Sequence, residues 1–288
     1  VVRNGLTLNG TIILGGTVEY GSLAFYGTQT LGGSGTVVFT GNGGNLQAAA
    51  PDQGATPATL TIGSGVTVRG GNATVLGYFL SDKVINNGTI IADTGGISFT
   101  TSTNGSFTNN GTLRASSGGT LSIQAATWNN TGVLQVNGGT LNLGGGFTLA
   151  GLKLASLTRT GGTINLTATL NLAGGTLALT AATGTWSLSG GTLKSGTLST
   201  SGGAKLALTP AYGTLDGVTI AAGATVDTSG YNPFQNSLAG AVVRNGLTLN
   251  GTIILGGTVE IGSLAFYGTQ TLGGSGTVVF TCLLYTSP

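Results

Sequence analysis

NNGTLRASSGGTLSIQAATWNNTGVLQVNGGTLNL, residues 109–143, contains one short pattern twice over. Gly-Gly precedes an alternating segment in GGTLSI from Gly118 and again in GGTLNL from Gly138, and an Asn pair precedes another segment at Asn109-Asn110 and Asn129-Asn130. Two aliphatic residues stand at i and i+2, as Leu141 and Leu143 do, while Ser or Asn takes the place between them. A two-residue period is the mark of a strand with one buried face. Working outward, GGTINL begins at Gly161, GGTLAL at Gly174, and another Asn pair stands at Asn86-Asn87. The three Asn pairs thus recur at nearly even intervals.

Spacings of roughly 20 residues, short strands and Gly-Asn corners predict coils of a parallel β-helix, each stacking like residues on the last. Asn suits a recurrent corner, where it adopts left-handed backbone and stacks its amide on the next coil's, and Gly takes corners that need positive φ. The shorter gaps from Gly161 to Gly174 and from Gly174 to Gly190 are part-coil spacings, since each coil has more than one strand. No window of about 12 or more residues combines a 3.6-residue period with helix caps. The expected fold is therefore all-β: a right-handed parallel β-helix (β-solenoid) of roughly 20–23 residues per coil with essentially no long helix. At about 21 residues and about 4.8 Å per coil, residues 1–281 would make roughly 13 coils and a rod of about 60 Å. Four stretches are expected to leave it as loops: 45–58, 76–84, 208–213 and 227–240, all but the second containing Pro.

A longer period overlies the short one. VVRNGLTLNGTIILGGTVEYGSLAFYGTQTLGGSGTVVFT, residues 1–40, returns at 242–281 with one change, Tyr20 to Ile261. Tyr and Ile codons differ at two bases, so a single miscalled base cannot make that change, and the duplication is taken as real. The expected organisation is a continuous solenoid over 1–281, with a tandem unit 1–241 and a second copy from 242. Both ends then lie inside an array and expose uncapped coil edges on a monomeric rod. The tail CLLYTSP, 282–288, has no counterpart after the first copy and resembles a translated sequencing-library adapter. It is expected to be non-native, and with it Cys282, the only cysteine.

Composition excludes several functions. The chain has 288 residues, 56 of them Gly, with 6% charged residues and a net charge of +2. An average soluble domain carries about a quarter charged residues, so this surface is hydroxyl-rich and nearly uncharged. A nucleic-acid partner is not expected, because there is no basic stripe to release counterions. No apolar run of about 18 residues occurs, so no membrane-spanning segment is expected. Histidine is absent, which removes His-based triads and most zinc sites.

The carboxylates are Glu19, Asp52, Asp82, Asp93, Asp216, Asp227 and Glu260, all far apart in sequence. Stacked coils can still bring distant residues together. A polysaccharide-cleaving site would need Asp with Arg or Lys in one cleft, often with calcium. Three or more of Arg69, Asp82, Asp93, Arg114, Asp216 and Asp227 converging in one groove would mark it. Arg69, Arg114, Lys153, Arg159, Lys194 and Lys205 are read more simply as solvated outward positions. GGSG at 32–35 and 273–276 lacks the Asp of a calcium-binding nonapeptide, and GTVVFTGNGGN lacks the Lys of a phosphate loop. Thr59-Leu-Thr61 and Thr167-Ala-Thr169 match ice-binding rows only locally. Phe107 and Trp128 lead into Asn pairs and are read as stacked core. A partner-contacting loop is placed at Tyr231, Asn232, Phe234 and Gln235, aromatic and amide groups in a polar Pro-containing stretch. No catalytic residue, cofactor or metal is expected.

With its NNGT corners, GGTL strands, cysteine-free 1–281 and long tandem unit, the chain resembles bacterial β-helical surface proteins: autotransporter passengers and filamentous-haemagglutinin-like adhesins. The resemblance is one of texture over residues 1–281 and carries no receptor-binding residues. It implies a secreted or cell-surface protein, an adhesin-like stalk making weak multivalent contacts with cell-surface glycans or extracellular matrix. Pectate-lyase-like polysaccharide degradation is the alternative, and a purely structural spacer the second alternative.

Overall fold

Residues alternate so that one side chain in two faces inward along each strand, and the strands are too short to bury that face alone. They solve this by stacking. Each pairing between the described strands is parallel and joins residues one coil apart, as Thr89 with Thr112 and Thr112 with Val133. The computed structural model describes residues 1–52, 55–79, 81–101, 104–228, 238–257 and 261–281. It is an all-β parallel β-solenoid of about 11 turns, and among the described residues its one α-helix is the four-residue Leu149–Leu152.

Contacts divide the chain into two units, Val1–Thr163 and Ile164–Pro288. In the first, each coil gives one strand to each of three sheets. One sheet runs Leu6–Leu8, Gln29–Gly33, Thr59–Ile62, Lys83–Asn86, Ser106–Asn109, Thr127–Asn130. The next runs from Thr11–Leu14 through Thr36–Phe39, Thr67–Gly70, Thr89–Ala92, Thr112–Ser116 and Val133–Asn137 to Leu157–Arg159. The third includes Gly21–Tyr26, Gly44–Ala49, Ala73–Gly77, Gly96–Thr101, Thr120–Ile123 and Thr140–Leu143. The core is made of in-register columns. Val37, Val68, Ile90, Leu113, Leu134 and Leu157 lie one above the other and are all buried.

The two glycines of the GGT motif do different jobs. Gly118 and Gly138 have φ of +80° and +77° and open space where a Cβ would stand. Their partners Gly119 and Gly139 sit against the coil before: a Cβ there would collide with the Ala92 carbonyl oxygen and the Ala115 carbonyl carbon, respectively. The first glycine supplies a left-handed corner and the second a close approach. The Asn pairs differ from expectation. Asn86, Asn109 and Asn130 end strands and are not among the residues with positive φ, so the left-handed corner is not theirs.

In the second unit the strands Trp186–Leu188, Leu206–Leu208, Thr225–Asp227, Thr252–Leu255 and Thr277–Phe280 form one stack. Thr169–Asn171, Thr192–Thr200, Gly213–Ile220, Ala239–Leu249 and Gly262–Phe266 form the other. Three of these are long because they turn a corner without breaking, through Ser195 (φ 51°), Gly217 (φ 61°) and Asn245 (φ 54°).

The coils vary more than the Asn spacing implies. Leu6 pairs with Leu31 and Thr36 with Thr67, longer steps than that from Thr120 to Thr140, which is why the chain makes about 11 turns and not 13. The expected loops are also shorter than read. Strand Gly44–Ala49 takes the start of 45–58, and Ala50 and Ala58 are buried. Strands reach into 76–84 from both sides, at Ala73–Gly77 and Lys83–Asn86. Pro or Gly in a sequence marks where pairing stops, but burial of the flanking residues extends the coil into it.

Candidate functional site

The partner-contacting residues proposed from the sequence, Tyr231, Asn232, Phe234 and Gln235, lie outside the described residues. The ionisable residues are distributed as follows. Among the described residues three ion pairs join neighbouring coils: Arg69 with Asp93 at 2.6 Å, Lys194 with Asp216 at 3.3 Å, and Lys205 with Asp227 at 2.6 Å. Among the described residues no group of three or more His, Cys, Asp or Glu gathers to hold a metal.

One of these pairs has a further cation on the next coil. Register places Arg69, Ile91 and Arg114 in one column, and Asp93 follows Ile91 by two positions. Asp93 Oδ2 accepts from Arg69 Nε and Nη2, while Asp93 Oδ1 and Arg114 Nε are buried without a hydrogen-bond partner. Arg69, Asp93 and Arg114 thus stand on three successive coils, with Arg69 paired to Asp93 and Arg114 outside that pair. They amount to two guanidiniums and one carboxylate, which lacks the second carboxylate of an acid/base pair.

Asp82 plays a different part. It is fully buried, and its carboxylate accepts from the backbone N–H groups of Ala50, Ala58 and Phe79. It ties Ala50 and Ala58 to the coil that follows them, so it is a structural clip. No sequence pattern flags this, since the bonded groups are backbone.

The second unit holds a shallow cavity of about 210 Å³ beside a charged column. Asn171, Lys194, Asp216 and Arg244 lie in register on successive coils. Between Asp216 and Val218 one residue, Gly217, faces two, Asn245 and Gly246, and the resulting bulge opens the cavity. Its polar lining comes from Thr219, Asn245, Thr248 and Thr271. Asn245 Nδ2 donates to Asp216, and this bond is the main reason that carboxyl is held below its usual range; burial opposes it, and Lys194 and Arg244 assist. An ionised Asp216 is therefore kept beside a hydroxyl- and amide-lined hollow. Asn245 was not singled out in the sequence, and its positive φ is the property that places it there.

The corner Asn residues form an amide ladder inside the first unit. Asn86 Nδ2 donates to Asn109 Oδ1 at 2.8 Å and Asn109 Nδ2 to Asn130 Oδ1 at 2.7 Å, all three buried. Asn130 Nδ2 closes the ladder on Leu152 O and Ser156 Oγ, which the short helix and its following turn supply. A second, exposed ladder runs from Asn87 through Asn110 to Thr131. Phe107 and Trp128 are buried as expected, though each stacks on another ring, Phe99 at 4.3 Å and Phe147 at 4.6 Å. Outside, Thr11, Thr36, Thr67, Thr89 and Thr112 make a single column, one Thr per coil. The positions two further on are Ile13, Val38, Arg69, Ile91 and Arg114, so no paired Thr rows result.

Compared with protein-family models, with curated proteins and with solved structures, the chain matches none. No helix among the described residues is long and apolar enough to cross a membrane.

Proposed function

We propose that the chain is part of a secreted or cell-surface repeat protein, an adhesin-like stalk or passenger whose work is to extend and to make weak, multivalent contacts with surface glycans or matrix. The observation that carries this reading is where the ionisable groups go. Arg69, Lys194 and Lys205 each pair with the Asp of a neighbouring coil, and Asp82 is buried against backbone amides. Charge here joins coil to coil. What faces outward is recurrent Thr and Asn, which offers the same weak hydrogen-bonding surface turn after turn, suited to avidity.

A pectate-lyase-like activity is favoured by one feature, the Arg69, Asp93 and Arg114 set on successive coils with its unpartnered buried atoms. Both readings are tested on the purified chain, displayed multivalently on beads against glycans and cells, and assayed free in solution for release of unsaturated oligosaccharides from polygalacturonate with and without calcium. Bead binding that needs multivalency, with no product release, supports the stalk. Product release that Asp93→Asn abolishes would overturn it, and neither binding nor release would leave a spacer.

A further inference from the structure

In the second unit one outward column is threonine on coil after coil and then stops. Thr176 pairs with Thr197, Thr197 with Thr219 and Thr219 with Thr248, but Thr248 pairs with Gly273. That position lacks the side chain the column would put there. On the two preceding coils the bulge places Gly217 opposite Asn245 and Gly246. Gly217, Gly246 and Gly273 all line the hollow, and their missing side chains open it. The opening lies on the flank of the coils. Thr30, the counterpart of Thr271 in the first copy, stays exposed although Thr59–Ile62 pairs over its strand.

The side chains around the hollow are uncharged. Among the described residues the hydroxyls of Thr219, Thr248 and Thr271 enter no hydrogen bond, and Asn245 gives its Nδ2 to Asp216, which leaves its Oδ1 to accept. Each hydroxyl both donates and accepts, as those of a sugar do, so this wall fits a polyol without burying a charge. Val218 and Leu247, both buried, supply apolar contact for the C–H face of a ring. A volume of about 210 Å³ is below the roughly 300–1,000 Å³ of a pocket for a drug-sized ligand, and suits a single ring. The bond to Asp216, itself paired with Lys194, fixes Asn245 in advance, so binding has little left to order.

We infer that the hollow is a subsite for one uncharged sugar ring, a hexopyranose unit of a surface glycan, bonded by the three threonine hydroxyls and the Asn245 amide oxygen. This rests on the glycan-contact reading and narrows it from a diffuse surface to one place. The same duplication supplies a control. Gly32 pairs with Thr7 in the first copy as Gly273 does with Thr248, but away from the hollow.

The test uses the full chain, with the methyl glycosides of glucose, galactose and mannose as probes in saturation-transfer NMR and circular dichroism as the check of fold. Gly273→Thr continues the column and fills the hollow. The backbone there does not have positive φ, and the nearest atom to an added Cβ is Thr271 Cγ2 at 3.9 Å, so the coil accepts the side chain. Gly32→Thr makes the same change in equally open space. The expected result is transfer to at least one of these glycosides, weakened about tenfold or more by Gly273→Thr and about threefold or more by Thr248→Val, and unchanged by Gly32→Thr. No transfer to any of them, or equal transfer in Gly273→Thr and the parent chain, would overturn the subsite. So would transfer to methyl glucuronide alone, since the ligand would then be an anion. Binding to glycan-coated beads is read in parallel. Beads that hold Gly273→Thr as well as the parent overturn the subsite and leave the stalk reading standing, whereas glycoside transfer without bead binding overturns the stalk reading and supports the subsite.

Discussion

Residues 1–40 and 242–281 share all but one residue, yet their burial is nearly opposite. In the first copy the later half is buried, with Phe25, Leu31, Val37 and Phe39 inside, while Leu6, Ile12 and Leu14 are only partly covered. In the second copy the early half is buried, with Leu247, Leu249, Ile253 and Leu255 inside, while Phe266, Leu272 and Phe280 are exposed. Local sequence cannot produce that difference. Each coil buries its inward side chains only when coils lie on both sides of it, which is the nearest-neighbour rule of solenoid energetics. Residues 242–255 rest on Gly213–Ile220 and Thr225–Asp227, whereas among the described residues the strands Leu6–Leu8 and Thr11–Leu14 pair on one side alone, with Gln29–Gly33 and Thr36–Phe39.

The largest test of this contrast is a pair of identical substitutions. Phe39→Ala should cost about 3–5 kcal/mol by urea unfolding, as for a buried aromatic, whereas Phe280→Ala should change stability by less than about 0.5 kcal/mol. Equal effects would break the comparison. Next, Ile253→Ala should cost about 2–4 kcal/mol, and Ile12→Ala less than half of that, because Ile253 is fully buried and Ile12 is not.

Asn245 and Asn4 provide a third, smaller contrast with a pH signature. Asn245→Ala removes the amide that holds Asp216 ionised, and should cost about 1–2 kcal/mol at neutral pH, while Asn4→Ala, at an exposed position, should cost almost nothing. The folded-state pKa of Asp216 is lowered, so its contribution is fully present above the ordinary carboxylate range and is lost as pH falls through the lowered value. In Asn245→Ala the acid-side loss should shrink, and an NMR titration of the Asp216 carboxyl should move up toward the usual range. The smallest effect is at the position where the copies differ. Tyr20→Ile should cost about 0.5 kcal/mol or less, since the bond to Asn45 is exposed, and thermal unfolding followed by circular dichroism reads it.

Legibility varied by residue type for a physical reason. The alternation of Leu141 with Asn142, the Gly118-Gly119 corner and the Asn86, Asn109 and Asn130 repeat are local patterns, and each reappears as a strand, a corner and a ladder. The Asn conformation differs from the expected left-handed corner because an amide serves a ladder equally well from a strand end. From the sequence Asp82 is one of six candidates for a charged groove, whereas its three backbone donors come from residues that no motif links to it. The Asp216 and Asn245 contact joins residues 29 apart through a bulge, which changes the register that simple spacing assumes.

The sequence by itself determined that this chain stacks short parallel strands with Gly corners and Asn ladders, and that one segment occurs twice. Those are properties of period and residue type, which local sterics and alternating polarity enforce. Only the tertiary structure decided which copy buries which half, which Arg meets Asp93, and how Asp216 is held ionised beside a hollow. Those depend on what lies one coil away, and the length of each coil, short from Thr120 to Thr140 and long from Thr36 to Thr67, is set by packing and loop closure.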